Sequence, residues 1–114
     1  MERIVEQALL YDFYGELLNE HQRQIYQDAV FNDLSLSEIA EEHGISRQGV
    51  HDLIKRVNKT LSEYEDKLHL IEKFMKTKEK VHEIDRLTND YISSGDMECI
   101  SKIQCLTKDI IDTF

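Results

Sequence analysis

The stretch from Leu36 to Leu53, LSEIAEEHGISRQGVHDL, gathers residue types that together meet the demands of a helix-turn-helix. A small residue, Ala40, stands where two helices must touch, and Gly44 stands where the turn needs a positive backbone angle. Ile39, Ile45, Val50 and Leu53 are apolar where such a pair packs on the body of a domain. Ser46 can cap the second helix, whose positive N-terminal end then points outward toward phosphate. The chemistry on offer is anion binding and base reading, although short helix pairs with glycine turns also occur as plain scaffold.

Other chemistries lack their residues. Cys99 and Cys105 lie six apart in a helical segment, on opposite sides and outside disulfide reach, and read as reduced thiols. The five histidines, His21, His43, His51, His69 and His82, are scattered without an HxxxH or HExxH pattern, so no zinc site is expected. No glycine-rich phosphate loop, no GxSxG elbow and no paired carboxylate and histidine in a plausible cleft are expected. The expectation is a protein that is not an enzyme and needs no cofactor.

The elements that must position the motif follow from periodicity and punctuation. Glu2 to Leu18 places Ile4, Val5, Ala8, Leu9, Tyr11, Phe13, Tyr14, Leu17 and Leu18 at helical spacings and predicts a helix buried over much of its circumference. The Tyr11 to Gly15 cluster, YDFYG, could stack on bases, but aromatics within an apolar stripe fit a core better. A second helix starts after Asn19, turns Ile25, Tyr26, Ala29 and Val30 inward and ends before Asn32 and Asp33. Ser35 and Glu38 have the spacing of a capping box that opens a short third helix, closed at Gly44, and Ser46 opens the fourth.

From Gly49 to Gly95 no glycine or proline interrupts the chain. Val50, Ile54, Val57, Leu61, Tyr64, Leu68, Ile71 and Met75 recur at alternating spacings of four and three, the seam of a coiled coil or long bundle helix. The phase then slips to Phe74, Val81, Ile84, Leu87 and Tyr91, so a kink or break is expected near Lys76 to Lys80. Ser93, Ser94 and Gly95 make the next turn, and Asp96 caps a last helix carrying Met97, Ile100, Ile103, Leu106, Ile110 and Ile111.

Composition agrees with an all-α fold. Proline and tryptophan are absent, only four glycines occur among 114 residues, and 33 residues are Leu, Ile, Val or Phe, a share above the roughly 20% below which charged chains stay disordered. No apolar run approaches the ~18 residues of a membrane span, and the start lacks the marks of a signal peptide, so a soluble cytoplasmic protein without membrane partners is expected. The net charge is −9, unevenly spread: residues 1–45 carry two basic and ten acidic groups, residues 46–80 nine and six, residues 81–114 three and seven. The middle alone is basic, so nucleic-acid binding would be local and weak without a partner or a dimer.

Residues 19 to 61 resemble region 4 of bacterial sigma factors, whose promoter-reading helix-turn-helix has a pattern like LSLSEIAEEHGISRQGVHDLIKRVNKTL. With LLYDFYGELLNEHQRQIY before the motif and LSEYEDKLHLIEKF after it, the chain over about residues 5 to 75 is similar to the YlxM family, small helix-turn-helix proteins encoded beside signal recognition particle components. The resemblance implies a sigma-region-4-like domain with an appended helical tail and a regulatory or auxiliary role in the signal recognition particle pathway. It also implies base-reading positions just after the cap, which match Arg47, Gln48, His51, Asp52 and Lys55. Arginine suits guanine, glutamine suits adenine, and Lys55 and Arg56 suit phosphates. Ser46 and Lys59 complete the expected nucleic-acid-binding set. Two departures oppose it: Gly49 lacks a side chain in the first turn, and Asp52 puts a carboxylate on the face that would meet phosphates. A solvated helix face is the plainer account of each side chain.

The domains expected are a helix-turn-helix domain over residues 1–60 and a helical extension over residues 61–114 that makes a homodimer, with Leu61, Tyr64, Leu68, Ile71 and Met75 along the seam. The lysines Lys73, Lys76, Lys78 and Lys80 alternate with acidic residues and fit the flank of such a seam better than a nucleic-acid track. Two functions remain in view: a DNA-binding regulator, and a helical adaptor that uses the same fold to bind a protein or RNA of the signal recognition particle.

Overall fold

A chain without proline, rich in leucine and isoleucine, has few forced turns, and the computed structural model, which describes residues 3–114, is all-α, with six helices and no strand among the described residues. They are α1 (Arg3–Tyr14), α2 (Glu20–Val30), α3 (Leu36–His43), α4 (Arg47–Leu68), α5 (Leu70–Ser94) and α6 (Met97–Thr113), with a 3-10 turn at Gly15–Leu17 after α1. None is long and apolar enough to cross a membrane. The chain divides into two compact units, one ending at Ile71 and the other covering Glu72–Phe114.

In the first unit α1, α2 and α3 all pack against α4. Two clusters fill the space: Leu10, Tyr14, Leu18, Tyr26, Val57 and Leu61 in one, and Ile25, Ile39, Ala40 and Val50 in the other. Leu53 and Ile54 touch both, so α4 is the spine that joins them. The expected helix from Glu2 to Leu18 is shorter than its periodicity suggested, because the chain tightens into the 3-10 turn at Gly15. A Cβ on Gly15 would stand 2.9 Å from the Tyr11 ring, so glycine is what lets that ring lie against the turn. Ile4, Val5 and Leu17 are exposed, while Leu10, outside the expected stripe, is buried. The part of the stripe that falls on Glu2 lies outside the described residues.

Helix ends follow local chemistry. Asn19 and Gln22 form a reciprocal capping box on α2, and Ser35 and Glu38 form the expected one on α3. The break between α4 and α5 lies at His69, not in the stretch from Lys76 to Lys80, through which α5 runs on as helix. His69 is left-handed, with φ 55° and ψ 31°. What holds the break there is a side chain from α1. The buried Tyr14 hydroxyl donates to Glu65 Oε1 at 2.5 Å and accepts from the Leu70 amide at 3.2 Å, while Glu65 Oε1 also accepts from the Ile71 amide at 2.9 Å. Two orphan donors of the first turn of α5 are thereby satisfied.

The seam of Val50, Ile54, Val57, Leu61 and Tyr64 is spent inside the first unit. Val50, Val57 and Leu61 are fully enclosed, and Ile54, Tyr64 and Ile71 pack on the same clusters. Four of the five residues expected along the dimer seam keep some exposure. Leu61 is core, Tyr64 and Ile71 border the core, Leu68 is exposed and Met75 is half-buried in the second unit. An apolar stripe is equally satisfied by the chain's own helices, and here α1, α2 and α3 cover it as far as Leu61. The first compact unit runs as far as Ile71.

The second unit is formed by most of α5 and by α6. Asp96 caps α6 by accepting from the Glu98 amide at 3.0 Å, and Gly95 turns the chain at φ 70°. Leu87 is the one buried hydrophobic side chain among the described residues of this unit. Ile100, Ile103, Leu106 and Ile110 are half-buried, whereas Phe74, Val81, Ile92, Met97 and Ile111 are exposed.

Candidate nucleic-acid interface

The helix-turn-helix consists of α3 and α4. Gly44 ends α3 at φ 67° and ψ 31°, a left-handed conformation that glycine adopts without steric cost. Its amide donates to the Ala40 carbonyl, as does that of Ile45 at 3.1 Å, which closes the orphan end of α3. Ala40 is buried, and Ile39 beside it is enclosed with Val50 of α4. The turn is thus held from both sides. Ser46 then caps α4 by accepting from the Gly49 amide at 2.9 Å.

Gly49 has a structural reason to be small. A Cβ there would meet the Ser46 hydroxyl at 3.0 Å and nothing else within 4 Å, so a larger residue would press on the cap itself. The first turn of an α-helix carries amides without intrahelical partners and the positive end of the helix dipole.

All the expected recognition residues fall on α4 or its cap. Ser46, Arg47, Gln48, His51, Asp52, Lys55, Arg56 and Lys59 are exposed, while Val50, Val57 and Leu61 occupy the buried side of the same helix. Arg47, His51 and Lys55 recur every fourth residue and so line one ridge. The arrangement has one brake: Gln48 Nε2 donates to Asp52 Oδ1 at 3.0 Å, and His51 Nδ1 lies 3.7 Å from the same oxygen. Asp52 therefore occupies part of the hydrogen-bonding capacity of Gln48, while His51 lies near it beyond hydrogen-bond distance. Gln48 retains its carbonyl oxygen and one amide hydrogen.

A cleft of about 370 Å³ runs beside this ridge, lined by Gln7, Leu36, His51, Ile54, Lys55 and Asn58. Asn58 was not foreseen. Its Oδ1 accepts from the Tyr26 hydroxyl at 2.5 Å and from Gln7 Nε2 at 3.4 Å, tying α4 to α2 and α1 directly under the exposed ridge. Gln7 and Tyr26 lie 51 and 32 residues from Asn58 in sequence, a separation that no local pattern reports. The aromatic cluster on α1 is core or half-buried packing. Tyr11 stacks on Tyr26 with ring centroids 5.8 Å apart, and Tyr14 packs against Tyr64 at 6.0 Å.

The residues expected along a dimer seam do not join this site: Leu61, Tyr64 and Ile71 lie in or against the core of the first unit, Leu68 is exposed there, and Met75 is in the second unit. Across residues 1–101 the chain matches the family UPF0122, described as "Putative helix-turn-helix protein, YlxM / p13 like". A UPF0122 protein of Desulforamulus reducens is 39% identical over 104 residues, which is 91% of this chain and 89% of the relative. One of Acetivibrio thermocellus is 49% identical over 84 residues, 74% of this chain and 72% of the relative. One of Clostridium kluyveri is 40% identical over 104 residues, 91% of this chain and 94% of the relative. With the capped helix pair in place and a match spanning nearly its whole length, the chain belongs to the UPF0122 family of YlxM/p13-like helix-turn-helix proteins.

Proposed function

We propose that this protein is a nucleic-acid-binding regulatory protein that docks the N-terminal half of α4 on its target and takes part in the signal recognition particle pathway. The observation that carries the reading is the outward ridge of Arg47, His51 and Lys55 beyond a capped helix start, with Arg56 and Lys59 exposed farther along. Arginine and lysine at these positions neutralise phosphates, and Arg47 reaches a guanine edge in the major groove. Binding, not catalysis, is the activity that such a surface supports. The link to the targeting pathway rests on the family resemblance.

The acidic charge of residues 1–45 opposes long, nonspecific tracking along a duplex. A homodimer offsets this by presenting two ridges at once. Its contacts are proposed to come from exposed apolar side chains of residues 61–114, among them Leu68, Phe74, Val81, Ile92, Met97 and Ile111, with Met75 beside them.

A second reading is favoured by the Gln48–Asp52 hydrogen bond, which turns a candidate base reader toward its own helix. Here the same fold serves as an adaptor for a protein or RNA of the signal recognition particle. The deciding experiment compares wild type with the double substitution Arg47→Ala, Lys55→Ala in capture from cell lysate and in titrations over a range of salt. Enrichment of a discrete DNA set by wild type alone, with the slope of log affinity against log salt reduced by about two in the variant, supports the regulator. Equal retention of signal recognition particle RNA or protein by both supports the adaptor.

A further inference from the structure

The last turn of α2 brings Asp28 against two consecutive side chains at the end of α3, Glu42 and His43. Asp28, Glu42 and His43 each offer one ligand atom, and these atoms all lie within 4.8 Å of one another. His43 Nε2 is 3.2 Å from Asp28 Oδ2, and the two side chains are only 13% and 16% exposed. Asp28 Oδ1 is held separately, accepting from Asn32 Nδ2 at 2.9 Å. The ring of His21 stands edge-on to that of His43, centroids 6.0 Å apart.

We propose that Asp28, Glu42 and His43 form a zinc-class metal site that ties α2 to the first helix of the helix-turn-helix. Zinc bonds of ~2.0–2.1 Å in a tetrahedron place neighbouring ligand atoms about 3.4 Å apart. The His43–Asp28 pair already has nearly this separation. Glu42 is exposed and has the rotamer freedom to close the remaining gap. One imidazole with two carboxylates is a donor set for zinc or its neighbours; calcium and magnesium favour a fuller oxygen shell. The Asn32 amide acts as the outer hydrogen bond that aims the carboxylate, a feature typical of metal-binding Asp and His. Two negative charges around a single imidazole are an excess that a divalent cation neutralises. Glu42 is carried to the pair by its place next to His43 on α3 and adds a second carboxylate within reach.

The inference goes beyond nucleic-acid binding and stands or falls apart from it. The test is titration of zinc, and of cobalt as an absorbing probe, into metal-stripped full-length protein, read by calorimetry and visible absorption. Wild type is compared with His43→Ala, Glu42→Gln and the remote control His82→Ala. One equivalent of zinc is expected to bind at about micromolar Kd or tighter, raising the melting temperature by roughly 5 °C or more at saturation. Glu42→Gln, an exposed change that leaves the core intact, is expected to weaken binding about tenfold or more. His43→Ala should abolish it and His82→Ala should leave it unchanged. Wild-type binding weaker than about 1 mM, or equal affinity in wild type and Glu42→Gln, overturns the site.

Discussion

At Tyr14 one hydroxyl connects three segments. It donates to Glu65 of α4 and accepts from the Leu70 amide at the start of α5, while the ring lies 1% exposed in the core. Burial first, and the neighbouring Glu65 carboxylate second, push its pKa from 10.0 up to about 12. The fold therefore prefers the neutral phenol. The associated stability is fully present below pH 10.0, the unfolded value, and is lost as pH rises through about 12. Tyr14→Phe should cost about 1–3 kcal/mol, since it leaves the half-buried Glu65 carboxylate and the Leu70 amide less well satisfied. Urea denaturation measures the cost, and repeating it toward high pH should show a steeper alkaline loss in wild type than in the variant. Equal slopes would mean that the phenol is not the titrating group.

Each helix of the recognition pair depends on single-residue punctuation. Ser35 and Ser46 accept from Glu38 and Gly49 at 3.1 Å and 2.9 Å, so Ser35→Ala and Ser46→Ala should each destabilise the first unit by about 1 kcal/mol. Gly44→Ala meets no steric neighbour within 4 Å, yet it should cost about 1–2 kcal/mol because the left-handed angle is unfavourable for an L-residue. Thermal melts of the three variants check both figures. A negligible effect of Gly44→Ala would show that the turn relaxes to another conformation. The α4–α5 break belongs to the same scale. His69 takes φ 55° without glycine's freedom, and it does so because Tyr14 and Glu65 cap the next helix.

For the whole molecule, the decisive residue is Leu61. Enclosed at 0% exposure among Tyr14, Leu18 and Tyr26, it is part of a single chain's core. Leu61→Ala should cost about 2–5 kcal/mol, and the loss should be the same at low and high protein concentration. A destabilisation that disappears on dilution would instead return Leu61 to a contact between copies. The proposed dimer is tested separately by sedimentation at about tens of micromolar. Paired copies are expected for wild type, and substitution of Ile92 and Ile111, both strongly exposed, by serine is expected to give monomers. A monomeric wild type would sink the dimer.

The helical class, the caps at Ser35, Ser46 and Asp96, the turn at Gly44 and the outward face of α4 were legible in the chain, because each depends on residues within one or two turns of one another. Leu53 and Val50 were readable as core for the same reason. The fate of the long seam was not, since periodicity states that one side of a helix must be covered but not by what. The structure covers Val50, Val57 and Leu61 with the chain's own helices. Asn58 beneath the ridge, Tyr14 at the α5 cap and the meeting of Asp28 with His43 were equally hidden. Their partners come from other helices, and only the packing of α1, α2 and α3 on α4 brings those distant polar atoms within bonding range.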